Sequence, residues 1–152
     1  MNVFGNESEP GRTLYLAEPP ARYLIRPSVV IDCSVLAGLL FQEHWFEEAN
    51  QKIQGRSLKA PWLLDVEITS VALKKHRSGY PDLARSGLEN YALMEIDRFD
   101  TSPQSVCALA LRYQLSAYDA AYLWLAADLQ CPLATFDAKL AAAAQLHLGS
   151  LP

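Results

Sequence analysis

Residues 116–140 read SAYDAAYLWLAADLQCPLATFDAKL, and three elements follow from that stretch. Between Ala117 and Gln130 nearly every position is apolar, which predicts a buried central helix rather than one with a wet face. After Pro132, the run Leu133-Ala134-Thr135-Phe136 predicts a short strand. Asp137 then leads into a last helix over Ala138 to His147, with Leu148 to Leu151 as a candidate edge strand.

The same alternation extends upstream. Val29-Val30-Ile31 is a β-branched run ending at Asp32, the pattern of a strand buried on both faces. A helical stretch from Val35 to Gln54 follows, with a break near Gln42. Leu58-Lys59-Ala60 is extended and is closed by Pro61. Trp62 to Arg77 predicts a helix stopped by Ser78-Gly79-Tyr80-Pro81, and Asp82 to Leu93 another. Met94 to Phe99 alternates as a strand does. Ser102 and Pro103 then supply the N-cap and first position of a helix reaching Tyr113. Strands separated by helices imply right-handed crossovers and a mostly parallel sheet, an α/β fold.

The chain has 152 residues, which fits one domain with a sizeable core. Residues 1–27 stand apart, since four of the nine prolines fall there without hydrophobic period; they read as a flexible arm ahead of a domain at 28–152. The arm carries acids and no apolar core, so it is not a secretory signal. No run reaches the roughly 18 uncharged apolar residues a membrane helix needs, so no membrane partner is expected. The cysteines number three, with no CxxC pair, which argues against a disulfide framework and a zinc site. Reduced thiols packed as small core residues fit a cytoplasmic protein. Thirteen basic against 17 acidic residues give a net charge of −4, so nothing global attracts phosphate. A nucleic-acid enzyme whose acids hold cations remains compatible, because a bound metal inverts the local field.

Four acids carry the functional reading. Asp32 ends a strand, Glu67 interrupts the apolar stripe Leu64, Ile68 and Val71, Asp119 opens the buried helix, and Asp137 lies between a strand and a helix. Each has a bland alternative: Asp32 and Asp137 as helix caps, Glu67 snorkelling to water, and Asp119 in a capping box with Ser116. Taken together they point elsewhere. In a parallel sheet the strand ends that carry Asp32 and Asp137 fall on one edge. Carboxylates gathered there repel, a unit pair at 4 Å by about 4 kcal/mol at an effective dielectric of 20. A divalent cation relieves that repulsion, and hard oxygen donors select Mg²⁺ or Mn²⁺ over zinc. Such a site suits metal-assisted attack on a phosphodiester.

The four acidic segments resemble the PIN domain family, and most closely its VapC-type toxins of bacterial toxin–antitoxin pairs. The matching pieces are VVIDCSVL with Asp32, LLDVEITSVALKK with Glu67, LSAYDAAYLWLA with Asp119, and PLATFDAKLAAAA with Asp137. The resemblance covers about residues 28–150, and the pairing of YDAAYLWLA with PLATFDAKL is its most specific part. It implies a three-layer fold with a mostly parallel sheet of four to five strands flanked by helices. It implies a Mg²⁺-dependent (or Mn²⁺-dependent) endoribonuclease in which Asp32, Glu67 and Asp119 hold the metal and Asp137 serves as a fourth acid. Ser34 and Thr135 match positions that support the site. Homodimers and a cognate antitoxin protein are the implied partners, with RNA as substrate. The arm at residues 1–27 is longer than the family usually carries.

Lys74, Lys75, Arg77 and Lys139 are candidates to steer the RNA backbone, with solvated helix residues as the alternative. Phe41, Trp45 and Phe46 read as core, or as part of a groove for an antitoxin helix. A haloacid-dehalogenase phosphatase needs a second Asp where Ser34 stands, and a phospho-receiver needs paired acids and a late Lys that are missing here. The non-enzymatic alternative is a catalytically silent binding module in which the acids are caps.

Overall fold

A computed structural model describes residues 26–42 and 46–152. All but the last two residues of the expected N-terminal arm, and Trp45, lie outside the described residues. The elements run in the order β1 (Ser28–Ile31), α1 (Cys33–Leu40), α2 (Phe46–Ile53), β2 (Ser57–Pro61), α3 (Leu63–Arg77), α4 (Pro81–Leu93), β3 (Ile96–Phe99), α5 (Pro103–Tyr113), α6 (Ala117–Asp128), β4 (Leu133–Ala134) and α7 (Ala138–Gly149). The strands form one sheet of order β3-β2-β1-β4 in which every pairing is parallel.

Local chemistry sets the boundaries. Val29, Val30 and Ile31 are at most 2% exposed, as a centrally placed parallel strand requires. Gln42 takes a left-handed conformation (φ 52°) next to the expected break between α1 and α2. Gly79, at φ 93°, makes the turn that ends α3, and Pro81 starts α4 at a position where its missing N–H costs nothing. The Ser102 hydroxyl accepts from Ser105 N–H and caps α5.

The apolar circumference of α6 has a clear cause. Tyr122, Leu125 and Ala126 belong to the core that includes β1 and β2, while Ala120, Ala121 and Leu123 pack with Val106 and Leu109 of α5 and Leu140 of α7. The helix is thus enclosed between the sheet and an outer pair of helices. Helices α1, α3 and α4 pack against one another, and Leu36, Leu64, Ile68 and Ala84 join β1 in the principal core. On α3 the stripe turns through Leu64, Ile68 and Ala72, so Ala72 rather than Val71 is the buried third member.

Two expected strand segments differ. The proposed edge strand at Leu148–Leu151 does not form, because α7 continues through Gly149. Helical geometry keeps Leu148 on the face already set by Leu140 and Ala144, where it packs on both core clusters. The sheet therefore has four strands among the described residues. Strand β4 stops at Ala134 because Thr135 and Phe136 turn their polar groups onto the end of β1.

Strand order positions the site. The chain lays β2 beside β1 and β3 beside β2, then returns to put β4 on the opposite side of β1. The reversal falls between β1 and β4, and a crevice opens where the connections from two adjacent strands leave in opposite directions. Asp32 follows β1 and Asp137 follows β4, so both acids stand at the carboxyl edge of that crevice.

Candidate active site

Asp32 is the one buried charged side chain among the described residues, 5% exposed. It does cap α1: Val35 N–H donates to its Oδ1 at 3.3 Å. It also takes two further donors. The Ser34 hydroxyl reaches Oδ1 at 2.6 Å, and the Thr135 hydroxyl donates to Oδ2. Ser34 Oγ accepts from Phe136 N–H at 2.9 Å, and Thr135 Oγ1 from Asp137 N–H at 2.9 Å. Two hydroxyls thus bind one carboxylate and tie the ends of β1 and β4 together. Burial still holds the Asp32 carboxyl above its ordinary range, despite the downward pull of Ser34, Thr135 and the Val35 amide.

Glu67 lies on the second turn of α3 and is half-buried. Its Oε2 accepts from the hydroxyl of Tyr122 on α6. Burial raises the Glu67 carboxyl, the Tyr122 bond opposes the rise, and the charges of Asp32 and Asp119 add to it. Asp119 stands in the first turn of α6, where its N–H donates to Ser116 Oγ at 3.1 Å. Burial raises its carboxyl, Ser116 lowers it, Asp137 raises it and Lys139 lowers it. Asp137 is exposed and caps α7 through Leu140 N–H at 2.7 Å.

The four acids therefore form an electrostatic series, Asp32 to Glu67 to Asp119 to Asp137, each within reach of the next. Three of them carry carboxyls raised chiefly by burial, and the charge of Lys139 opposes the rise at Asp119. The donors are hard oxygens, the set that suits Mg²⁺ or Mn²⁺. Among the described residues, however, no three His, Cys, Asp or Glu side chains are gathered tightly enough to hold an ion as they stand. Asp32, Glu67 and Asp137 are instead turned onto protein donors of their own.

The other expected residues divide. Lys74, Lys75 and Arg77 occupy the last turn of α3, about 10–15 Å beyond Glu67 along the helix axis at 1.5 Å per residue. Phe41 is core, 1% exposed, whereas Phe46 is 42% exposed. All three cysteines are free; Cys33 and Cys131 are partly buried, but Cys107 is exposed on α5 and is not a core residue. Burial, with the charges of Glu67 and Asp32 adding to it, pushes the Cys33 thiol up to about 12, which disfavours the reactive thiolate.

Tyr122 is the site residue that sequence reasoning passed over, though a signal exists. It falls three residues after Asp119 on one helix face, and a buried tyrosine hydroxyl requires an acceptor. Asp65, the other acid on α3, has a different role. Its Oδ1 accepts from Tyr91 Oη at 2.5 Å and from Arg98 Nε at 2.9 Å, which makes it part of an ion-paired network at the β3 side of the sheet. The guanidinium carbon of Arg98 lies 5.2 Å from the Tyr91 ring centroid and 6.0 Å from that of Trp62.

The sequence profile of the PIN domain matches residues 29–146, which spans all four acids. The chain belongs to the PIN domain family. Its relatives place it with the VapC-type members. VapC ribonuclease Mb0985 of Mycobacterium bovis and ribonuclease VapC9 of Mycobacterium tuberculosis are each 31% identical over 115 residues, 74% of this chain and 87% of theirs. The crystal structure of PAE2754 from Pyrobaculum aerophilum shares the fold, with a TM-score of 0.62 at 21% identity, over 82% of this chain and 95% of that one. Four parallel strands flanked by helices are thus the three-layer α/β arrangement of a PIN domain. Among the described residues no helix is long and apolar enough to cross a membrane.

Proposed function

We propose that this PIN domain is a divalent-metal-dependent endoribonuclease, the toxin of a toxin–antitoxin pair. The observation that carries the reading is the electrostatic series of four carboxylates at the reversal in strand order. Three of them are burdened by burial, a cost that buried cation partners relieve. The names of the relatives supply the substrate class, RNA.

Asp32, Glu67 and Asp119 would hold Mg²⁺, or Mn²⁺, with Asp137 as the outer acid. When bound there, the cation supplies Lewis-acid activation of water and neutralises charge on the phosphate. The chain's own residues do the rest. Ser34 and Thr135 fix the Asp32 carboxylate, so its free lone pairs keep one direction. Tyr122 fixes Glu67, and Ser116 fixes the turn that carries Asp119. Lys139 offers a positive charge beside Asp119 to an incoming phosphate. The protein acts in the cytoplasm as a homodimer and is silenced by its antitoxin; the exposed ring of Phe46 is a candidate contact.

Asp32→Asn keeps the size of the side chain and the acceptor for Val35 N–H while removing the charge. It should lower RNA cleavage by more than about 100-fold, because even outer-shell partners of a metal site are worth about 10–100-fold. Circular dichroism should show the fold retained. Undiminished cleavage by the variant would defeat the assignment.

A second reading draws on the caps and on the loose spacing of the acids: a catalytically silent PIN module that acts by protein contact. Magnesium titration separates the two. A silent module shows no Mg²⁺-dependent rise in melting temperature and cuts no RNA.

A further inference from the structure

Tyr122 and Glu67 are 55 residues apart in the chain and meet through one hydrogen bond. Tyr122 is 1% exposed and is among the largest fully buried side chains, with its ring locked in the core beside Leu125 and Ala126. The ring has two side-chain torsions and no room to use them, so the hydroxyl is held at a fixed point. Phenylalanine would fill the same core volume. The hydroxyl therefore adds nothing to packing, and it costs desolvation unless an acceptor meets it. That acceptor is a carboxylate whose own charge is disfavoured by burial and by two neighbouring acids. An apolar pair at these positions would serve folding better. Neither the capping rules nor the sheet geometry calls for this bond, so its use lies with Glu67.

A carboxylate offers two oxygens, and the Tyr122 bond takes a lone pair of Oε2, leaving Oε1 the less engaged by that hydroxyl. We propose that Tyr122 is a positioning residue for metal-dependent cleavage: it fixes the plane of the Glu67 carboxylate and would leave Oε1 as the oxygen better placed for the cation. This rests on the nuclease reading above. Glu67 would then hold the cation through one oxygen, which suits an ion that keeps several waters.

The test is a double-mutant cycle on Mn²⁺ affinity, measured by calorimetry on the full chain, alongside RNA-cleavage kinetics. Tyr122→Phe should keep its circular dichroism, bind Mn²⁺ about 10–100-fold more weakly, and lose kcat with little change in KM for RNA. Adding Tyr122→Phe to Glu67→Gln should cost nothing further, because the hydroxyl acts through that carboxylate. Wild-type Mn²⁺ affinity in Tyr122→Phe, with Glu67→Gln impaired, overturns the positioning role and leaves the nuclease reading standing. A wild-type chain that neither binds Mn²⁺ nor cuts RNA overturns both. Should Tyr122→Phe fail to fold, a crystal structure of the wild type with Mn²⁺ decides the matter. Tyr122 Oη on one Glu67 oxygen with the ion on the other supports the role; both oxygens on the ion, or Tyr122 turned elsewhere, ends it.

Discussion

The hydroxyl of Thr135 donates to Oδ2 of Asp32, joining residues 103 positions apart. This bond closes β4 onto β1 beyond the point where regular pairing ends, and Ser34 completes the knot by bonding Asp32 and Phe136 N–H together. The nearest chemical groups of the site thus come from opposite ends of the domain.

Thr135→Val removes that donor and leaves a buried carboxylate oxygen short of a partner. A hydrogen bond to a charged group is worth about 1.5–3 kcal/mol. At about 2–4 °C per kcal/mol for a chain of this size, the variant should melt several degrees lower. Differential scanning calorimetry without added metal checks this. An unchanged melting temperature would mean that the Ser34 and Val35 donors suffice.

Stability should depend on pH through the same acids. Asp32, Glu67 and Asp119 all have carboxyls raised above their unfolded values of 3.8, 4.5 and 3.8. A raised group binds its proton more tightly when folded, so its contribution is fully present below the unfolded value and is lost as pH rises through the folded one. The metal-free chain should therefore gain stability from these groups as pH falls through their folded values toward their unfolded ones. His147 works in the opposite sense, since burial and Arg112 lower it. Comparing the pH slope of the wild type with that of Asp32→Asn isolates the acids: the variant should show the shallower slope. Mg²⁺ at about 100 times its Kd should add about 2.7 kcal/mol to the wild type.

Gly87 on α4 has no room for a side chain. A Cβ there would press on Cε1 of Phe41, lie 2.8 Å from its Cδ1 and sit 3.1 Å from the Leu40 carbonyl oxygen. The Phe41 ring is buried in the core and cannot swing out. Gly87→Ala should cost about 1–3 kcal/mol, the range for overpacking a filled core, although alanine is the better helix former. Urea denaturation measures the loss. A stabilised variant would show that α1 and α4 can move apart.

Much of this structure was legible from local pattern. The strand at Val29–Ile31, the buried α6 and the Ser102–Pro103 start of α5 each follow from periodicity or capping within a few residues. The misreadings share a cause, which is distant chain. Thr135 and Phe136 look like strand, but Asp32 and Ser34 capture their polar groups. Leu148 looks like the start of a strand, but the core beneath α7 holds it in helix. The acids were visible as a set: Glu67 breaks an apolar stripe, whereas Asp32, Asp119 and Asp137 each pass as caps until they are read together. Their partner Tyr122 was not, because an aromatic residue in a buried helix looks ordinary until the acceptor opposite its hydroxyl is known.

The split origin of the Asp32 cluster also bears on how the protein is made. A chain interrupted before β4 contains Asp32 and Glu67 but neither Thr135 nor Asp137. Until β4 has been made, Asp32 lacks the Thr135 hydroxyl that fixes one of its oxygens, so a fragment ending before β4 cannot close this cluster. The cluster is therefore a late product of synthesis, closed only when the segment at 133–137 joins β1.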